Sequence, residues 1–429
     1  MMRQTSVFAP ALRPSGLLKF IGNAGLFAVV ICNAGCAEPT RAKLAPVDAI
    51  VDKYISEEKV AGLVVIVYKD GKPLYERAAG WADKEAGKPM QLDTIFRIAS
   101  QTKAMTSLAA LMLVEEGKLA LHDNVGKYIR PFYWAKVAER KSKEARVELK
   151  PAKQAMTIHH LLTHTSGLSY GTHPDVADIF KAARLGPALG PAWYLSARHE
   201  TICQVSEKLG RLPLTSQPGA VWVYGYSTDV LGCIIERASG MKLDEFFRKR
   251  IIEKLGMKDT HFYLPADQRD RLATLYASNK DKKAERSNMQ GEYVDGPRRN
   301  YSGGAGLVST APDYVRFLEF IRNGGEIEGV RLVKPETIAL MTQNQIGNTY
   351  SSRGMGFGYG FEVTEAAGAK KAEPAGSFGW SGAYGTYYRV APKEKLVILV
   401  YTQLFPNWTD VKEKLAEAIF QSLTGKHRS

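Results

Sequence analysis

A chain of 429 residues, 45% hydrophobic and 24% charged, has enough apolar material for a large core and excludes disorder as its main state. The formal net charge of +14 favours anionic surfaces through a diffuse field. The basic residues form no recognisable nucleic-acid module, so no nucleic-acid partner is expected.

The first 36 residues read as an export signal. Arg3, Arg13 and Lys19 precede an apolar run, residues 20–31, and then small residues up to Ala37. The run is shorter than the ~20 residues that span a bilayer. Two maturation routes fit. Ala34-Gly35-Cys36 resembles a lipoprotein processing site, which would attach the protein to a membrane through a lipidated Cys36; ordinary cleavage near Ala37 is the other. Both predict an exported protein, in the bacterial periplasm or lipid-anchored. Beyond the leader only Cys203 and Cys233 remain, as two buried thiols or, in an oxidising compartment, as a bridge.

Helical spacing of Val47, Ile50, Val51, Tyr54 and Ile55 predicts an opening helix. Residues 62–68, the Asp70-Gly71 pair and residues 72–81 predict a hairpin. A short strand over 95–98 leads to Ser100, and a helix over 101–117 follows. The Lys- and Arg-rich stretch 135–156 predicts a solvated helix or loop. Beyond it come a short helix over 157–162, a Gly- and Pro-rich connection over 186–193 and a helix near 197–210. Pro218-Gly219 turns into residues 221–226, and Ser227 is placed as the N-cap of a helix running to Ser239. Residues 266–300 show little pattern. Helices are predicted over 313–323 and 335–343, strands over 358–364, 377–380, 386–390 and 395–403, and a last amphipathic helix over 409–423. A sheet built from both chain ends with a helical segment inserted is the simplest assembly.

Ser and Lys three residues apart carry chemistry only where a helix start stacks both on one face of a cleft. A serine hydroxyl needs a base within about 3 Å, and a lysine taken out of water can serve. Of the three Ser-x-x-Lys copies, Ser56…Lys59 sits at a charged helix end and Ser239…Lys242 is broken by Gly240. Ser100…Lys103 follows an apolar strand at the first turn of a buried helix, which marks Ser100 as nucleophile and Lys103 as its proton partner.

Phe96-Arg-Ile-Ala-Ser-Gln-Thr-Lys-Ala-Met-Thr106 resembles the Ser-x-x-Lys segment of the serine β-lactamase-like superfamily: class C β-lactamases, DD-peptidases and the family VIII carboxylesterases. Four further segments resemble it in order: Leu161-Leu-Thr-His-Thr-Ser-Gly-Leu168, Trp222-Val-Tyr-Gly-Tyr-Ser-Thr-Asp-Val-Leu-Gly232, Gly303-Gly-Ala-Gly-Leu-Val-Ser-Thr310 and Phe378-Gly-Trp-Ser-Gly-Ala-Tyr-Gly-Thr386. The resemblance implies an α+β, β-lactamase/transpeptidase-like fold. An antiparallel sheet flanked by helices (45–98 and 300–429) would carry an inserted, mainly helical domain (99–299). It implies a proton-relaying tyrosine at Tyr224, with Tyr226 as its rival and, as a candidate substrate contact, where the β-lactamases carry Asn. It also implies an oxyanion hole from the backbone N–H groups of Ser100 and Ala383.

The third motif, Lys-Thr-Gly in β-lactamases, reads Trp380-Ser381-Gly382 here. These three residues are the expected substrate-binding edge. A tryptophan in place of the cation removes the anchor for an anionic substrate and offers an apolar wall. The resemblance therefore implies a carboxylesterase acting on short-chain, small-molecule esters, with no cofactor. The alternatives are a β-lactamase or DD-peptidase, an acyltransferase, or a non-catalytic sensor on the same scaffold.

Other signals are weaker. Gly379-Trp-Ser-Gly-Ala383 lacks the last glycine of a nucleophile elbow. His159, His160 and His164 read as structural hydrogen-bonding groups, without the further ligands a metal needs. Gly354-Met-Gly-Phe-Gly358 lacks the strand and helix of a dinucleotide site. Phe132-Tyr133-Trp134 and Trp193-Tyr194 suit either core packing or an acyl pocket. Asp229 is expected to support the first turn of its helix.

Overall fold

The computed structural model describes residues 42–425, apart from 141, 143–144, 187–194, 351–353, 367 and 369–372. The segment read as an export signal, Cys36, Trp193-Tyr194 and nearly all of the Gly- and Pro-rich connection lie outside the described residues.

Eight strands form one antiparallel sheet. Numbered among themselves, these are β1 (Gly62–Lys69), β2 (Lys72–Asp83), β3 (Lys88–Pro89), β4 (Met355–Phe357), β5 (Glu362–Thr364), β6 (Phe378–Ser381), β7 (Tyr387–Ala391) and β8 (Leu396–Tyr401). Their spatial order is β4-β5-β6-β7-β8-β1-β2-β3. The two chain ends meet where Val64 pairs Tyr401 and Ile66 pairs Leu399. The β1–β2 hairpin turns at Asp70-Gly71, both with positive φ (55° and 77°), as the sequence of that turn demands.

Because alternate strand residues face opposite sides, β1 serves two cores. Leu63, Val65 and Val67 pack against helix α1 (Ala45–Ser56) and helix α5 (Val411–Thr424) through Val47, Val51, Leu415 and Ile419. Val64 and Ile66 face a larger core holding Met105, Leu108 and Leu111 of α2 (Thr102–Glu115), Val230 and Ile234 of α3 (Ser227–Ser239), and Tyr314 and Phe317 of α4 (Ala311–Arg322). That second face carries the site.

Several expectations need correction. Residues 135–156 contain a two-stranded ribbon, Lys136–Glu139 with Glu148–Pro151, in which Val137 and Ala138 are buried while the outer strand is exposed. The segment 266–300 holds a second ribbon, Tyr276–Ser278 with Ala284–Arg286. Ser227 is already helical, and its hydroxyl bonds the Ser166 hydroxyl at 2.8 Å instead of capping. Cys203, on the Ile202–Leu209 helix, is disulfide-bonded to Cys233 of α3.

Candidate active site

Ile95–Arg97, fully buried and paired with Val308–Thr310, delivers the chain to the site. Ala99 then adopts φ 46°, left-handed for a residue with a Cβ, in a short 3-10 turn over Ala99–Gln101. Such a conformation is costly and persists only where the surroundings impose it. It lifts Ser100 out of the strand line and starts α2 at Thr102, so Lys103 falls in the first helical turn. Ser100 keeps 5% of its surface and Lys103 1%. The pair is therefore nearly dry, with the amine turned inward.

Lys103 Nζ lies 3.3 Å from Ser100 Oγ, 3.0 Å from the Tyr170 hydroxyl and 2.8 Å from the Gly304 carbonyl oxygen. It also sits 4.6 Å from the centre of the Tyr224 ring. A neutral amine has two N–H groups and one lone pair. With Gly304 O and Tyr170 O taking the two hydrogens, the lone pair is left for Ser100 Oγ.

Tyr224 comes from the irregular segment ahead of α3. The Val223 N–H donates to the His164 carbonyl at 2.7 Å, and a Cβ on Gly225 would lie 2.2 Å from the Leu168 carbonyl, so only glycine lets the two segments cross. The Tyr224 hydroxyl accepts the Trp380 indole N–H at 3.2 Å and hydrogen-bonds Tyr170. The Lys103 nitrogen thus meets the face of Tyr224, and reaches its hydroxyl through Tyr170. Burial, then the neighbouring Tyr224 and Asp229, push the Tyr170 phenol well above the usual tyrosine range.

Tyr170 is the site residue that the sequence reading missed. It lies two positions beyond the Leu161–Leu168 motif, where no spacing singles out a tyrosine. Tyr226 needs the opposite correction. It is 2% exposed, its hydroxyl donates to the Leu185 carbonyl at 2.8 Å, and its ring packs on Tyr170 at 4.8 Å. Buried and already bonded, it is a wall behind Tyr170 and no substrate contact.

Strand β6 ends at the site. Trp380 is half-buried, with its ring 5.5 Å from those of Tyr224 and Phe357 and 6.3 Å from that of Trp222. These rings make an aromatic wall without a cation. Ser381 pairs with Tyr387 in the sheet. A Cβ on Gly382 would lie 2.4 Å from the Ile98 carbonyl, and Thr386 Oγ1 donates to that same oxygen at 3.4 Å. The turn carrying Ala383 is thereby held against the turn carrying Ser100.

The histidines lie around the site, each in its own role. His160 closes a capping box with Thr157, and His159 Nδ1 is 2.9 Å from the Tyr359 hydroxyl. His164 is fully buried among Trp222, Tyr224 and Phe357, where burial and then Lys103 push its imidazole well below the usual range. Tyr133 and Trp134 are 54% and 64% exposed, Trp134 on a surface hollow shared with Arg130 and Leu149, so they do not line an acyl pocket.

The β-lactamase family model matches residues 47–421, nearly the whole described chain. The chain belongs to the β-lactamase family. It is 33% identical to esterase EstB of Burkholderia gladioli over 378 residues, covering 83% of this chain and 90% of EstB. Among solved structures, EstCE1, a hydrolase with promiscuous acyltransferase activity, superposes with a TM-score of 0.72 at 27% identity, covering 90% of this chain and 99% of that one. Simvastatin synthase LovD of Aspergillus terreus shares the fold, with a TM-score of 0.75 at 24% identity and 90% and 99% coverage. The chain is accordingly a serine β-lactamase-like α+β protein of the hydrolase and acyltransferase branch.

Proposed function

We propose that this protein is an exported serine carboxylesterase that cleaves short-chain, neutral esters through an acyl-enzyme on Ser100. The observation that carries the reading is the nearly dry Lys103 amine, 3.3 Å from Ser100 Oγ, with both other contacts taken by acceptors. As Ser100 Oγ bonds the ester carbonyl carbon, its proton passes to the Lys103 nitrogen. A Lys103 proton moves to Tyr170 O, the Tyr170 proton to Tyr224 O, and the Tyr224 proton to the departing alkoxide as the ester C–O bond breaks. Tyr170 and Tyr224 each end with the proton count they began with. Water then attacks the acyl-enzyme by the same path in reverse. The backbone N–H groups of Ser100 and Ala383 are assigned to the oxyanion.

Substrate choice rests on the third motif. With Trp380 where a β-lactamase has lysine, a carboxylate on the substrate finds no partner there, whereas an alkyl or aryl ester meets an aromatic wall. The 33% identity to an esterase supports the same choice. Acyl transfer to an alcohol other than water is the second reading, favoured by the similarity to EstCE1. Export is supported by the Cys203–Cys233 bond, which suits an oxidising compartment; attachment through a lipidated Cys36 belongs to the same proposal.

Intact-mass analysis after treatment with an alkyl phosphonate tests the nucleophile. Wild type should gain one adduct and Ser100→Ala none, and a label kept by the variant defeats the assignment. Turnover of p-nitrophenyl butyrate should exceed that of a chromogenic cephalosporin by orders of magnitude; the reverse order overturns the substrate class.

A further inference from the structure

Asp229 lies in the first turn of α3, 2% exposed. Instead of capping its helix, its carboxylate reaches into the Gly-rich loop after residue 301. Asp229 Oδ1 accepts the Ser302 hydroxyl and, at 3.1 Å, the Gly304 N–H. The same peptide segment turns its next carbonyl, Gly304 O, onto Lys103 Nζ at 2.8 Å. Loop and carboxylate are fitted closely: a Cβ on Gly304 would lie 2.3 Å from Asp229 Oδ2, and one on Gly303 2.5 Å from the Thr228 carbonyl. One buried acid thus holds the residue that holds the amine.

The charges around this pair are few. Lys103 faces Ser100, Tyr170, Tyr224 and the buried imidazole of His164, and Asp229 faces Ser302, Tyr170 and Tyr226. Burial raises the Asp229 carboxyl above its usual range, while Lys103, Ser302 and the Gly304 N–H pull it back.

We propose that Asp229 is a positioning residue whose buried negative charge stabilises the ammonium formed when Lys103 takes the Ser100 proton, and whose grip on Gly304 aims the amine. The inference rests on the Ser100–Lys103 reading above. Charge developing on Lys103 in the transition state is met by a fixed counter-charge that needs no reorganisation.

The test is the pH dependence of kcat/KM for p-nitrophenyl butyrate in wild type and Asp229→Asn. Asparagine keeps the shape and can still accept from Ser302 and Gly304, but carries no charge. An amine beside one less negative charge gives up its proton more easily and is a weaker base. The acid limb should move down by about one pH unit or more, while the plateau falls at least about tenfold. A fallen plateau with an unmoved acid limb means a structural role only and overturns the proposal, as does an unchanged profile. Should Asp229→Asn fold poorly, thermal unfolding of Lys103→Met, Asp229→Asn and the double variant decides. Both side chains bond Gly304, so the Tm losses of the two single variants should be non-additive in the double variant, and additive losses refute the coupling. Phosphonate labelling of wild-type Ser100 separates the two layers. Without labelling the underlying reading fails; with labelling and an unmoved limb, this inference alone fails.

Discussion

Replacing Gly304 by alanine adds one methyl group and no charge, yet the geometry predicts a large loss of activity. The new Cβ would stand 2.3 Å from Asp229 Oδ2 and 3.2 Å from Oδ1. Ordinary contact requires about 3.4 Å or more, so loop and carboxylate must separate by about 1 Å in a core packed to crystal-like density. The carbonyl that accepts Lys103 at 2.8 Å belongs to the residue that moves, and the same shift carries it out of hydrogen-bonding range. A hydrogen bond to a charged group contributes about 1.5–3 kcal/mol, which corresponds to roughly 10- to 150-fold in rate if the amine is no longer aimed at Ser100. The assay is kcat/KM for p-nitrophenyl butyrate, with a melting curve to show that the variant is folded. A folded Gly304→Ala enzyme within about twofold of wild type would falsify the claim that this carbonyl positions the amine.

Tyr224→Phe and Tyr170→Phe each keep the aromatic packing and remove one link of the proton path. Each should lower kcat by about 10²-fold or more, with the double variant little worse than either alone; a fully active Tyr170→Phe rules out the route through that hydroxyl. Cys203 and Cys233 are 30 residues apart, and opening that loop by Cys203→Ser with Cys233→Ser should cost about 3–4 kcal/mol in denaturant unfolding under oxidising conditions. An unchanged midpoint means the bond is not formed. Burial, then His159 and His122, depress the His160 imidazole to about 4. The unfolded chain therefore binds a proton below about pH 6.5 that the folded chain refuses until about pH 4, so this group costs stability as pH falls through that window. His160→Gln, which retains a capping-box partner for Thr157, should lose less Tm than wild type between pH 7 and 5. Equal losses would remove His160 from the account.

The parts legible in the sequence were those with a local physical signature. A continuous apolar run rich in valine and an Asp-Gly turn announce the β1–β2 hairpin, and an apolar strand running into Ser100 singles out one Ser-x-x-Lys copy from three. The parts missed depend on contacts between distant segments. Lys, Arg and Glu dominate 135–156 so heavily that the short buried pair Val137-Ala138 is hidden. Tyr170 and Tyr226 are chemically the same residue, and only the fold decides that one hydroxyl meets Lys103 while the other meets a carbonyl. Asp229 sits where a helix-dipole role is the natural reading, and its loop partners are more than 70 residues away. The cysteine spacing made free thiols the plainer reading and a bridge the lesser one, because spacing alone does not bring two helices together.

The seam between β1 and β8 has a bearing on how this chain can be rewired. Helices α1 and α5 lie side by side on the outer face, where the Tyr54 hydroxyl donates to Asp410. A short tether from Gly425 back to Ala45 would connect neighbours, and new ends opened at the exposed Asp70-Gly71 turn would sit far from Ser100 along the strands. In such a permutant β8 and β1 become close in sequence, while β2 and β1, a hairpin in the natural chain, become its first and last strands. Refolding should therefore gain no speed, since one long loop must still close before the centre of the sheet can pair.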